Sequence, residues 1–391
     1  MRTPFALTAY PLSHDFRARL ETELDGVPEY LSVPQLRRLG RRRLLEELLS
    51  LSGRPCLLPL EDPASSAVLP LLEVLALAAR PSSIVVVRPD LRRQPISRWR
   101  LLPALGALGA ASADGLWTLR SARKDLERLL AAAPSTPTRG TRRRVLYLNG
   151  NLWFGVSAGG SLAHMAGVAN GLADAGYELE LAASFHVPQL REGVRDRVVA
   201  PPEAFAIPSE TNYFRYQRSL VEHSLRVAAA HAPDFVYQRL SILNYAGVTI
   251  SRQLGVPLVL EYNGSEVWVA RHWGRRLRYE RLAEQAEAAL LRHAHVVVTV
   301  SDVLREELLG RGIPERHIVM YPNCVDAALF DPARFTNEDR LRIRARYGLP
   351  KNAFVATFVG TFGRWHGTEV LARAVRGLIC LLYTSPSPRD S

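Results

Sequence analysis

The chain has 391 residues, enough for two or three domains, and an apolar share of 47% that is ordinary for a globular protein with real cores. Its 50 Lys+Arg against 38 Asp+Glu leave a net charge of +12. The excess is concentrated, because residues 1–144 hold 23 basic and 14 acidic side chains. Cys56, Cys324 and Cys380 lie too far apart for a disulfide framework or zinc-ligand spacing, which points to a reducing compartment.

Residues 1–20 show no apolar core of the signal-peptide kind. The most apolar stretch, residues 67–79, contains Pro70 and Glu73 and is too short to span a bilayer. A cytoplasmic protein is expected, with peripheral contact at the inner face of the membrane as a further expectation. In chain order, residues 1–53 read as helical and polar. Within them Arg37, Arg38 and Arg41 to Arg43 stand beside Leu36, Leu39, Leu44, Leu45, Leu48 and Leu49. That is a basic amphipathic helix, suited to a solvated face on a packed helix or to an anionic membrane surface. Aromatic residues do not interleave with the arginines, so no nucleic acid partner is expected.

Strands at 56–58 and 84–87 and helices at 67–79 and 121–133 make a small α/β unit. The Pro/Thr-rich run at 134–140 reads as a linker, which places a domain boundary there.

The stretch that organises the rest is residues 142–177. An apolar strand at 145–148 runs into a loop with Gly150, Gly155, Gly159 and Gly160, then into a helix at 161–175 stopped by Gly176. Leu162, Met165, Ala166, Ala169 and Leu172 give that helix one apolar face. The loop is neither Gly-x-Gly-x-x-Gly nor a P-loop. Its free N–H groups and the helix dipole suit an anion, and a purely structural turn is the alternative.

Strands at 178–183, 234–239, 257–260, 296–300 and 318–320 then alternate with helices, the pattern of a parallel sheet with right-handed crossovers. The strand at 257–260 delivers Glu261, Asn263 and Glu266 at its carboxyl end, where open α/β sheets place ligands. A fresh strand at 354–359, a turn at 360–367 and a helix from 368 begin a second such unit. After Gly377 the style of the sequence changes, so residues 378–391 read as a non-native tail.

Six segments in order resemble the family-4-type retaining glycosyltransferases of GT-B fold. They are Gly159-Gly160-Ser161-x-x-His164, Tyr237-Gln238-Arg239, Val259 to Asn263, Val298 to Ser301, Tyr321 to Asp326 with Phe330 and Pro332, and Phe358 to Gly367. The resemblance covers roughly residues 142–376. It implies an α/β protein of GT-B type: one complete Rossmann-like domain, the start of a second, and an extra N-terminal α/β region.

The expected division is a basic extension at 1–140, an acceptor-side domain at 141–334, a truncated donor-side domain at 335–377 and the tail at 378–391. The implied reaction moves a sugar from a nucleotide-diphosphate donor to an acceptor hydroxyl with retention, in cell-surface glycan synthesis, with a glycan or lipid-linked acceptor and no cofactor or metal. The residues implied to bind substrate or donor are Gly159, Gly160, His164, Arg239, Glu261, Asn263, Gly360, Arg364, His366 and Gly367; no catalytic residue is assigned.

Alternatives stay open at several of these positions. His164 reads equally as a helix-start histidine, Glu261 and Asn263 as strand-end caps, and Arg239 as an interdomain ion pair. Ser301 reads as a helix N-cap and Asp326 as a turn residue. Cys324, His366 and Thr361 depart from the family's usual glycine, lysine and arginine, and the downstream Glu-x7-Glu segment is absent. Little or no transfer activity is therefore expected of this chain. The alternative functions are a sugar-nucleotide epimerase of the same fold and a non-catalytic binding fragment.

Overall fold

The computed structural model describes residues 3–24, 26–97, 99, 101–138, 140–152, 159–324, 330–360 and 366–384. The chain forms two compact units, one of residues 1–268 with 276–323 and the other of residues 269–275 with 324–391.

The first unit begins with β1 (Phe5–Thr8), α1 (His14–Leu24), β2 (Glu29–Ser32), α2 (Val33–Leu36), α3 (Arg41–Ser50), β3 (Cys56–Pro59), α4 (Leu69–Ala78), β4 (Ile84–Val87) and β5 (Arg93–Ile96). Five strands pair in the order β2-β1-β3-β4-β5, all parallel except the last pair. Alternate residues of β1 feed different cores. Phe5 and Leu7 join Leu58 and Leu72 on one face, and Ala6 joins Phe16 and Leu20 on the other. The expectation that residues 1–53 are helical is thus wrong for β1 and β2. β1 (Phe-Ala-Leu-Thr) and β2 (Glu-Tyr-Leu-Ser) lack the continuous β-branched apolar run that marks β4 (Ile-Val-Val-Val).

The next helix, α5 (Leu101–Ala131), runs 31 residues, far longer than the expected 121–133. Pro103, Gly106 and Gly109 disguise its first half. Pro103 lies in the first turn, where backbone N–H groups have no helical partner to lose. No described atom lies within 4 Å of a Cβ added at Gly106 or Gly109.

This helix packs on α4 and also on α7 (Thr211–His231) and α10 (Glu280–His293), so it bridges the two sheets of the unit. Asp114 accepts from Arg215 Nε at 2.7 Å and from Arg218 Nη1 at 2.9 Å. Those two arginines hold the Asp114 carboxyl down, to about 2. At the crossing a Cβ on Gly115 would stand 2.5 Å from Thr211 Oγ1, so only glycine fits there.

The second sheet is built from β6 (Arg144–Asn149), α6 (Gly160–Asp174), β7 (Glu178–Ala183), β8 (Arg195–Val198), α7, β9 (Phe235–Arg239), α8 (Ala246–Leu254), β10 (Leu258–Tyr262), α9 (Glu266–His272), α10, β11 (Val296–Thr299), α11 (Asp302–Gly310) and β12 (Ile318–Met320). Its seven strands run in the order β12-β11-β10-β9-β6-β7-β8, all parallel. This is a Rossmann-like α/β domain, as the alternating pattern requires.

Gly176 and Gly255 stop α6 and α8 at φ values of +83° and +66°, the left-handed geometry expected of them. Edge strand β8 escapes sequence reading because it is polar; Arg195 and Arg197 face Glu180 on β7, each at 2.9 Å.

The second unit holds α12 (Asn337–Arg346) and α13 (Thr368–Thr384). The expected strand at 354–359 does not form. Phe354 is 97% and Val359 91% exposed, and the described residues of this unit supply no neighbouring strand to complete a hydrogen-bond ladder.

Candidate functional site

In the seven-stranded sheet the chain order reverses between β6 and β9, and such a reversal opens a crevice at the carboxyl ends of the strands. The register sets residues of three strands side by side there. Tyr147 lies opposite Tyr237, Asn149 opposite Arg239, and Arg239 opposite Glu261.

The two-residue period of a strand sends Tyr147, Tyr237 and Val259 to the α6 side of the sheet. Arg239 and Glu261, two positions further along β9 and β10, follow them. Gln238 points the other way, where it accepts from Gly247 N at 2.6 Å and holds Asn244.

Glu261 is the hub, with 1% of its surface exposed. Its Oε1 lies 2.5 Å from Arg239 Nη1 and accepts from Asn263 Nδ2 at 2.5 Å. His164 Nε2 approaches the same oxygen to 3.1 Å, an ion-pair distance without hydrogen-bond alignment. Tyr237 Oη donates to Oε2 at 3.0 Å, and the Tyr237 ring meets Tyr147 edge-on at 4.8 Å.

Burial works to raise the Glu261 carboxyl, but His164, Arg239 and Asn263 outweigh it and hold the group below the ordinary carboxylate value. Glu261 therefore stands as an anion beneath the surface. Burial, reinforced by that charge, pushes the Tyr237 hydroxyl far up, so it remains a donor.

Glu266, the first residue of α9, behaves oppositely. Burial raises its carboxyl against the pull of Arg239. Two carboxylates five residues apart are thus driven in opposite directions around one arginine.

His164 arrives from α6, whose N-cap is Gly159. Gly159 sits at φ +137°, a conformation that side chains rarely adopt, and no described atom lies within 4 Å of a Cβ added there or at Gly160. The amino end of α6 thus meets unfilled space among the described residues, with the helix dipole and free N–H groups directed into it.

The sequence-predicted residues Gly159, Gly160, His164, Arg239, Glu261 and Asn263 come together at this crevice. Glu261 and Arg239 are largely occupied with each other, and Arg239 finds its carboxylate within its own sheet. Ser301 caps α11, accepting from Leu304 N at 3.3 Å. Asp326 lies outside the described residues.

Gly360, His366 and Gly367 belong to the second unit. There a Cβ on Gly360 would meet His366 Nδ1 at 3.2 Å, and Gly367, at φ +65°, precedes the first turn of α13. Arg364 lies outside the described residues. Sequence reading names Glu266 at the strand end and Tyr237 within a family-like segment but assigns neither of them, nor Tyr147, to the binding residues. Alternation along Tyr237-Gln238-Arg239 is the signal that sets Tyr237 on the side of Arg239.

Among the described residues no group of three or more His, Cys, Asp or Glu could hold a metal ion, and no helix is long and apolar enough to cross a membrane.

Residues 158–329 match the model of Glycosyltransferase Family 4. The chain is 28% identical over 254 residues to a D-inositol 3-phosphate glycosyltransferase of Thermobifida fusca, an alignment covering 60% of this chain and 54% of that protein. It is 28% identical over 231 residues to D-inositol 3-phosphate glycosyltransferase 1 of Catenulispora acidiphila, covering 58% and 54%. The chain thus spans about half the length of these curated relatives. Among solved structures, sucrose-phosphate synthase of Thermosynechococcus elongatus aligns at 20% identity and a TM-score of 0.45, over 60% of this chain and 59% of that one.

Proposed function

We propose, from the match of residues 158–329 to the model of Glycosyltransferase Family 4, that the protein transfers a sugar from a nucleotide-diphosphate donor to an acceptor hydroxyl, keeping the anomeric configuration. The acceptor oxygen bonds the anomeric carbon, the bond from that carbon to the diphosphate oxygen breaks, and the hydroxyl proton leaves with the diphosphate. The acceptor is a glycan or lipid-linked sugar of cell-surface polymer synthesis. The reaction needs no metal, since backbone N–H groups and cations take up the charge of the leaving group.

The single observation that carries this reading is the glycine turn opening onto an ionised cluster at the strand reversal. Gly159 and Gly160 leave α6's amino end clear for anionic or hydroxyl groups of the sugar nucleotide. His164 turns Nε2 toward the Glu261 carboxylate, which leaves Nδ1 for the ligand. Tyr237, Arg239 and Asn263 hold Glu261, so the histidine has a fixed partner before anything binds. From the second unit, Gly360, Arg364, His366 and Gly367 are assigned to the donor diphosphate, as the family resemblance implies.

Calorimetric titration with a panel of nucleoside diphosphate sugars tests the reading. One of them should bind, and His164→Ala should weaken binding roughly tenfold, about 1.4 kcal/mol. No heat with any sugar nucleotide would count against the proposal. Incubation with and without added acceptor then separates the readings: transfer needs the acceptor, an epimerase converts the sugar nucleotide alone, and binding without turnover matches the little or no transfer activity expected of this chain.

A further inference from the structure

The solvent face of α5 is unusual for a helix on a protein surface. Trp99, just before the helix, is 82% exposed, and Leu102, Leu105, Leu116 and Trp117 are 68%, 47%, 42% and 61% exposed. Between Leu102 and Leu116 the other exposed positions are proline, glycine or alanine. At 100° per residue these positions share one side of the helix, opposite Ala104, Leu108 and Ala111, which are buried. The exposed face therefore carries no charge for about four turns, where a solvated helix would be polar.

Beyond Trp117 the same face turns cationic at Arg120, Arg123 and Lys124, all exposed. The approach to the helix is basic too. In sequence, residues 88–100 contain five arginines and one aspartate; among the described residues Arg92 and Arg93 are exposed, and Arg92 pairs with Asp90 at 3.0 Å.

We infer that the N-terminal half of α5 is a docking face for an anionic lipid bilayer, with its leucines and tryptophans entering the headgroup boundary and the basic ends lying over acidic headgroups. Charge decides the occupant. A second copy of this chain, laid parallel or antiparallel along the helix, would set basic ends against basic ends. An anionic surface neutralises both. Tryptophan at each end of an uncharged helix face fits the interface between headgroup and hydrocarbon.

The basic helix α3 is a weaker candidate, since Arg42 is paired with Glu46 at 2.9 Å and Leu48 is buried. This face lies outside residues 158–329, so it stands whether or not the sugar-transfer reading does.

The test is co-sedimentation of the whole protein with phosphatidylcholine vesicles, with and without phosphatidylglycerol. Binding should require the anionic lipid and weaken as salt rises. The double variant Leu102→Glu, Leu105→Glu should lose roughly tenfold or more in vesicle affinity. Leu45→Glu, an exposed change on α3, should lose none.

A second measurement on the unaltered protein guards against misfolding of the double variant. Brominated lipid should quench part of the tryptophan fluorescence. Equal binding by the double variant, indifference to phosphatidylglycerol or the absence of quenching would each overturn the proposal. So would a concentration-dependent dimer that the double variant abolishes, which would assign the face to a second copy.

Discussion

The first unit holds one mixed and one all-parallel sheet, and both have a reversal in strand order. In the five-stranded sheet it falls between β1 and β3, in the seven-stranded sheet between β6 and β9. Topology offers a crevice at each, but the residues that follow the strands treat them differently.

After β3 come Glu61 and Asp62. Glu61 accepts from Ser13 N at 2.9 Å, Asp62 caps the turn at Pro63–Val68, and burial pushes the nearby Tyr10 hydroxyl up to about 12. The residues at that reversal are acidic and bond to their own chain. On the β6 side Gly159 instead opens α6, and Arg239 and His164 gather around a buried carboxylate. A fold supplies a hollow, and side-chain chemistry decides whether an anion can use it.

The largest effect expected from breaking this contrast is at Glu261. Glu261→Ala leaves Arg239, only 13% exposed, without its carboxylate, and should cost about 3–5 kcal/mol in urea unfolding. The matching change at the other reversal, Glu61→Ala, should cost under about 1 kcal/mol. Similar losses at both sites would erase the distinction.

Next in size is Gly159→Val, which forces a branched side chain to φ +137° and should cost about 1–3 kcal/mol. Gly160→Ala, at a position without that constraint, should be close to neutral. If the two behave alike, the turn is not set by its backbone.

Acid and base should separate the two sites further. The Glu261 carboxyl lies below its unfolded value of 4.5. Its contribution is therefore complete above that pH and lost as pH falls through the lower folded value. Glu261→Gln should flatten the acid limb of a stability–pH curve. The Tyr10 hydroxyl is raised from 10.0, so its contribution is present below pH 10 and lost as pH rises toward 12. Tyr10→Phe should flatten the alkaline limb instead. A swap of these two signatures would refute the assigned electrostatics.

The smallest effect sharpens the comparison by its absence. Tyr10→Phe should leave sugar-nucleotide affinity within about twofold of the parent protein, measured in the titration that detects the His164→Ala loss.

Much of this was legible in the residues themselves. The alternation of apolar strands with helices from Arg144 onward, the stops at Gly176 and Gly255 and the cap at Ser301 rest on local rules, and the chain obeys them. Strands β1, β2 and β8 were not legible, because β1 and β2 mix apolar with small or polar residues and β8 is polar at a sheet edge. The first half of α5 was hidden by Pro103, Gly106 and Gly109, whose cost is small in a first turn or on an open face.

For the candidate site, sequence alone determined which residue types stand at the strand ends: the glycine pair, His164, Arg239, Glu261 and Asn263. Only the tertiary structure decided what they do to one another. Register placed Arg239 opposite Glu261, α6 carried His164 to the same oxygen, and these neighbours hold the carboxylate as an anion against the cost of its burial. The reason is physical. Helix and strand signals come from neighbours along the chain, whereas the state of a charge is set by groups brought near in space from tens of residues away and by the water that packing removes.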